Sequence, residues 1–162
     1  EMVKKILSHR PTLETSVGAV LFVLREREPQ FLLLHYPHGH WDFIKGHVER
    51  GETHKETLRR EIEEESGIRD VSVVPGYRGQ VRFRYTAKGS EKAKRQNTGA
   101  GLYIWKKVIY FAVQTHETRV QISDEHVDWA WLSYEDARRR ITHANSRRIL
   151  DDARKHIDKL VE

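Results

Sequence analysis

The sequence predicts an α+β domain, a mixed sheet held between helices. Two observations lead there. Apolar runs of strand length occur at 16–25, 31–35, 71–74, 81–85, 102–113 and 129–132. Segments with helical spacing occur at 53–67, 133–141 and 144–161. Runs in this order are satisfied by one sheet covered on its faces by helices. The 162 residues are enough for a real core and read as a single domain, 1–162, without internal repeat or linker.

Residues 16–25, SVGAVLFVLR, read as a largely buried strand, and Phe31 to His35 as its partner across the polar turn 25–29. Residues 36–45 form a loop. Thr53 is placed to cap the next helix, with Glu56 completing a capping box and Gly67 ending it in the left-handed conformation. Leu58 and Ile62 share its apolar stripe. Val71 to Val74 is extended and stops at Pro75-Gly76. In 81–85, VRFRY, the arginines alternate with Val81, Phe83 and Tyr85. Residues 87–101 are polar and basic with three glycines and read as a mobile loop. Leu102 to Val113 would pair with 81–86 across it. Arg119 to Ile122 reads as short and extended, and Trp129 to Leu132 as a last strand. Ser133 caps a helix over 133–141 with Ala137 and Ile141 inward. The helix over 144–161 turns Ile149, Leu150, Ala153, Ile157, Leu160 and Val161 to one side.

Composition narrows the function classes. There is no cysteine, so neither a disulfide framework nor a thiolate metal site is available. No stretch approaches a membrane span, and Met2-Val3-Lys4-Lys5 leads into too short an apolar run for a signal peptide, so a soluble cytoplasmic protein without a membrane partner is expected. The net charge of +5 favours polyanionic partners, whether nucleotides, polyphosphates or RNA.

The chemistry concentrates between Gly46 and Ile68. Glu61, Glu64 and Glu65 lie at i, i+3, i+4, so their carboxylates converge near the negative end of the helix dipole. That repulsion is costly for a helix, and a divalent cation would offset it. An all-oxygen cluster suits Mg²⁺ or Mn²⁺. The competing reading is a solvated acidic face relieved by Arg59 and Arg60. The spacing decides between them. Gly46, Glu52, Arg60, Glu61, Ile62, Glu64, Glu65, Gly67 and Ile68 satisfy G-x5-E-x7-R-E-U-x-E-E-x-G-U, with U a bulky aliphatic. A chance match in a chain this long is roughly one in a million.

This segment resembles the signature of the Nudix hydrolases, which cleave a nucleoside diphosphate linked to a further group. The resemblance implies the αβα sandwich of that family, with the signature helix against a curved mixed sheet. It implies that Glu61, Glu64 and Glu65 serve as metal ligands or general base, that the Gly46 carbonyl is a further ligand, and that Arg60 pairs with Glu52 to tie the loop to the helix. The approach HWDFIKGHVERGE, residues 40–52, is similar to that of the asymmetrical diadenosine tetraphosphate hydrolases. The likeness continues at 107–111 and 125–132. Ile44 departs from it, where proline is usual, and 87–101 is longer than in short members. By this likeness Glu125 joins the metal site.

The expected reaction is Mg²⁺-dependent hydrolysis of a nucleotide substrate with a polyphosphate chain, diadenosine tetraphosphate to ATP and AMP. Lys45 before Gly46 is placed to reach a phosphate. His40 and Lys107 are further phosphate-contact candidates. Phe83 and Tyr85 are candidates to stack on adenine, against a plain core reading. The other histidines suit surface or supporting roles, and Trp129 and Trp131 suit packing. Rival reactions are removal of pyrophosphate from an RNA 5′ end and cleavage of a nucleoside triphosphate, ADP-ribose or an inositol polyphosphate. A non-catalytic nucleotide sensor would have no need for three repelling carboxylates.

Overall fold

The computed structural model describes residues 10–162. The segment around Met2-Val3-Lys4-Lys5 lies outside the described residues. Eight strands form one mixed sheet: β1 (Thr12–Arg25), β2 (Glu28–His35), β3 (Trp41–Asp42), β4 (Ile44–His47), β5 (Val71–Val73), β6 (Gly79–Thr86), β7 (Tyr103–Thr115) and β8 (Asp128–Ser133). Among the described residues four helices accompany them: α1 (His54–Ser66), α2 (Gly89–Thr98), α3 (Tyr134–Arg140) and α4 (Ala144–Leu160). None among the described residues is long and apolar enough to cross a membrane.

The sheet is built on β1. It pairs antiparallel with β2 and β4 and parallel with β7 over eleven residue pairs, Thr12↔Ile104 to Phe22↔Gln114. β7 also carries β5 and β6, and β2 carries β3 and β8. The β1–β2 turn is a two-residue hairpin with positive φ at Glu26 and Arg27, the twist a tight hairpin demands.

β1 is buried on both faces, which explains its unbroken apolar run. Val20 and Phe22 pack with Phe31, Leu33, Ala137, Ile149, Leu150, Ala153 and Ile157 beneath α3 and α4. Val17, Ala19 and Leu21 pack with Leu32, Leu34, Leu58 and Ile62 beneath α1. The result is a helix–sheet–helix sandwich. Ser133 caps α3 by accepting from the Asp136 N–H.

Five local expectations need correction. Residues 36–45 are not all loop, since they contain β3 and the start of β4. Residues 87–101 are not a loop but contain α2, which buries no side chain and so leaves no apolar stripe to read. It is held by polar contacts. Glu91 and Arg95 pair at i, i+4, Arg95 reaches Glu14 and the Gly101 carbonyl, and the Tyr85 hydroxyl donates to Glu91 at 3.1 Å. Residues 119–122 pair with no strand; Val120 and Ile122 lean on the α1-side core while the Gln121 N–H donates to the Ser66 carbonyl. Leu160, in the last turn of α4, is exposed rather than inward, and Trp129 is exposed rather than packed.

Candidate active site

α1 starts and ends where its sequence dictates. Thr53 Oγ1 accepts from the Glu56 N–H at 3.2 Å and donates back to the Glu56 carboxylate at 3.1 Å. Gly67 closes the helix at φ 76° with its N–H on the Glu63 carbonyl. Leu58 and Ile62 are fully buried, which fixes the rotation of the helix about its axis. That rotation sends Glu61 and Glu65 inward and leaves Glu64 at the surface.

The loop before α1 is clamped to it by Arg60. Its Nε and Nη2 grip the Glu52 carboxylate at 2.7 and 2.9 Å, and Nη2 also donates to the His47 carbonyl at 2.9 Å. Nη1 meets Glu61 at 2.8 Å and Glu64 at 3.2 Å. One planar guanidinium thus sets the loop, the helix and two glutamates in register, a geometry lysine cannot supply. Hydrogen bonds from Arg60 hold the Glu52 carboxyl down at about 2. A depressed folded pKa stabilises the fold above the unfolded value of 4.5, and the contribution is lost as pH falls through about 2. Glu52→Gln is therefore expected to remove part of the acid sensitivity in this window, read as a shallower fall of melting temperature between pH 4.5 and 2 than in the parent protein.

A cleft of about 380 Å³ opens beside this clamp. Glu61, Glu64, Glu65 and Glu125 line it together with Gly46, Lys45 and Lys106. Gly46 carries no side chain for a steric reason: a Cβ there would fall on the Glu61 carboxylate. Glu65 is held by His126 Nε2 and by the Ser123 hydroxyl, which donates at 2.8 Å. The His126 ring is almost wholly buried, edge-on to Tyr36, whose hydroxyl donates to the Phe43 carbonyl at 2.7 Å.

The buried glutamates differ in basicity. Burial pushes the Glu61 carboxyl up against the pull of Arg60. Burial also pushes Glu65 up, but His126 and Ser123 outweigh it and hold the group below the ordinary range.

The expected convergence of carboxylates is therefore incomplete. Among the described residues no three such side chains stand ready to hold an ion together, since Arg60 engages Glu61 and Glu64 while His126 engages Glu65. They nonetheless border one cleft, and Glu64, half exposed, is free to turn into it. Carboxylate and carbonyl oxygens are the donors a hard divalent cation takes, so the residues fit such an ion.

The family model of the NUDIX domain matches residues 14–153. The chain belongs to the Nudix family. It is similar to the asymmetrical bis(5'-nucleosyl)-tetraphosphatase of Mus musculus, with 32% identity over 114 residues, 67% of each chain. It is also similar to the RNA pyrophosphohydrolase of Shewanella sp. (strain MR-7), with 30% identity over 102 residues, 58% of this chain and 56% of that protein. Among solved structures, a binary complex of C. elegans Ap4A hydrolase superposes with a TM-score of 0.72 and 26% identity, covering 90% of this chain and 98% of that one. The helix–sheet–helix sandwich is the Nudix fold, and the protein is a Nudix pyrophosphohydrolase.

The remaining residues singled out in the sequence are distributed unevenly around this Nudix cleft. Lys45 borders it, with Nζ 3.2 Å from the buried Asp42 carboxylate. Lys107 does not border it; its neighbour Lys106 does, because successive strand residues face opposite sides. Burial, then Lys45, lowers the Lys106 pKa. His40 is also outside the lining, its ring stacked on Tyr36 at 4.5 Å. Phe83 is not a core residue. It is 39% exposed, sits opposite Lys106 in the β6–β7 ladder, and stacks with Tyr85 at 6.1 Å. Two contributors escaped the sequence reading as site residues: Asp42 and Ser123. Only Asp42-x-x-Lys45 left a local trace.

Proposed function

We propose that the protein hydrolyses dinucleoside tetraphosphates asymmetrically, releasing AMP and ATP from diadenosine tetraphosphate. One observation carries the reading: five glutamates and two lysines border the same cleft, carboxylates for cations beside ammonium groups for phosphates. The likeness to the mouse tetraphosphatase and to the C. elegans hydrolase supports the choice of substrate.

Glu61, Glu64, Glu65, Glu125 and the Gly46 carbonyl would hold divalent metal, Mg²⁺ or Mn²⁺. Bound there, such ions neutralise phosphate charge and lower the pKa of a water. The proton of the attacking water goes to one of the cleft glutamates, Glu61, Glu65 or Glu125. The water oxygen bonds to the phosphorus next to one nucleoside. The bond from that phosphorus to its bridging oxygen breaks, and the oxygen leaves with ATP. Lys45 and Lys106 hold the phosphate chain as point charges. Phe83, next to Lys106 across the ladder, offers its exposed ring to the base, with Tyr85 bracing it. Arg60 and Glu52 hold the loop that carries Gly46.

The rival reading is removal of pyrophosphate from RNA 5′ ends, supported by the likeness to the Shewanella enzyme. Purified protein with Mg²⁺ tests both against diadenosine tetraphosphate, ADP-ribose, a nucleoside triphosphate and a 5′-triphosphorylated RNA. The expected result is the highest kcat/KM on diadenosine tetraphosphate. Preference for the RNA would replace the substrate while leaving the cleft chemistry in place.

A further inference from the structure

The reverse face of the β6–β7 ladder carries a second groove, of about 540 Å³. Register assigns its walls. Leu13, Trp105 and Arg84 stand in one cross-strand row, and Thr15, Lys107 and Arg82 in the next. Partners in a row share a face of the sheet. Two residues further along, Val17 and Ile109 lie in the core beneath α1. The side chains of these two rows therefore stand on the α1 side of the sheet, while Glu14, Lys106 and Phe83, the row between them, border the groove in the opposite strand phase.

This face is both apolar and cationic. Leu13 is 75% exposed and Trp105 42%. The Arg84 guanidinium lies over the Trp105 ring at 5.3 Å. Arg82, Arg84 and Lys107 pair with no carboxylate among the described residues. The one acid bordering the groove, Glu14, partners Lys106 in the ladder and is tied to Arg95.

We infer that this groove binds single-stranded nucleic acid, independently of the hydrolytic cleft. The charge complementarity is one-sided: three unneutralised cations and no free acid call for a polyanion. The exposed indole beside them calls for a polyanion with aromatic rings. Trp105 offers a base a stacking face, and the cations at alternate strand positions follow a phosphate backbone. A duplex hides its base faces and cannot use the indole.

The test is fluorescence anisotropy with a labelled single-stranded RNA of about twelve nucleotides, bearing a 5′ hydroxyl, in chelator. The full chain is expected to bind, with log K falling against log salt at a slope of about −2 for three cations. Trp105→Ala and Arg84→Glu are each expected to weaken binding about tenfold or more, with melting temperature and diadenosine tetraphosphate hydrolysis retained. Glu64→Gln binds like the parent. The inference is overturned if the oligonucleotide does not bind, or if both groove variants bind it unchanged. Equal affinity for a duplex or for free ATP also overturns it, as does a groove that proves to serve self-association, seen as a sedimentation mass that Trp105→Ala lowers. Because hydrolysis is read separately, with Mg²⁺ and no chelator, on the same protein preparations, failure here is distinguishable from failure of the tetraphosphate reading.

Discussion

Glu64→Gln is expected to lower diadenosine tetraphosphate hydrolysis by roughly 10³-fold, since ligands to catalytic cations are worth several kcal/mol in the transition state. The substitution is informative because Glu64 does so little else. Its side chain is 54% exposed and its contact with Arg60, at 3.2 Å, is one of several that Arg60 makes. An exposed ion pair of this kind adds little stability. Loss of activity with an unchanged melting temperature then locates the defect in the cleft. The equivalent changes at Glu61 and Glu65 would also disturb the contacts with Arg60 and His126 and mix the two effects. A Glu64→Gln protein that retains parental kcat would remove Glu64 from the chemistry.

Gly46→Ala is expected to cost at least about 10²-fold in activity, the usual penalty for displacing a catalytic group by an ångström. The new methyl would occupy the space of the Glu61 carboxylate. What it meets is the far end of a flexible side chain, so Glu61 turns away and the fold survives. Gly67→Ala is the control. Gly67 is needed for its conformation, φ 76°, and nothing crowds its Cβ position. That change is expected to reduce stability by about 1 kcal/mol and leave kcat near the parental value. Calorimetry and steady-state kinetics on the two variants separate close approach from backbone strain.

What the sequence makes legible here is what is local. The cap at Thr53, the stop at Gly67, the buried stripe of Leu58 and Ile62, and the Glu52–Arg60 pair lie within sixteen residues of one another. The β1–β2 hairpin and the β6–β7 pairing follow from neighbouring runs joined by one connection. The parallel pairing of β1 with β7 does not, because nearly half of the chain lies between them and no local pattern names a distant partner. The same reason hides His126 and Ser123, which reach Glu65 from across the molecule. The sequence does not separate Lys106 from Lys107 because strand phase at that point depends on which face of β7 meets the cleft. Helix α2 is a different case. It has no apolar stripe, but Glu91 and Arg95 at i, i+4 and Gly99 at its end were signals in plain view.

The central claim is that water attacks the phosphorus adjoining one nucleoside of a dinucleoside tetraphosphate. Isotope-labelled water tests it most directly. The protein is incubated with diadenosine tetraphosphate and Mg²⁺ in water enriched in heavy oxygen, and the products are weighed by mass spectrometry. The account predicts AMP carrying one heavy oxygen and unlabelled ATP, with no ADP. Label in ATP, or ADP as the main product, would contradict it.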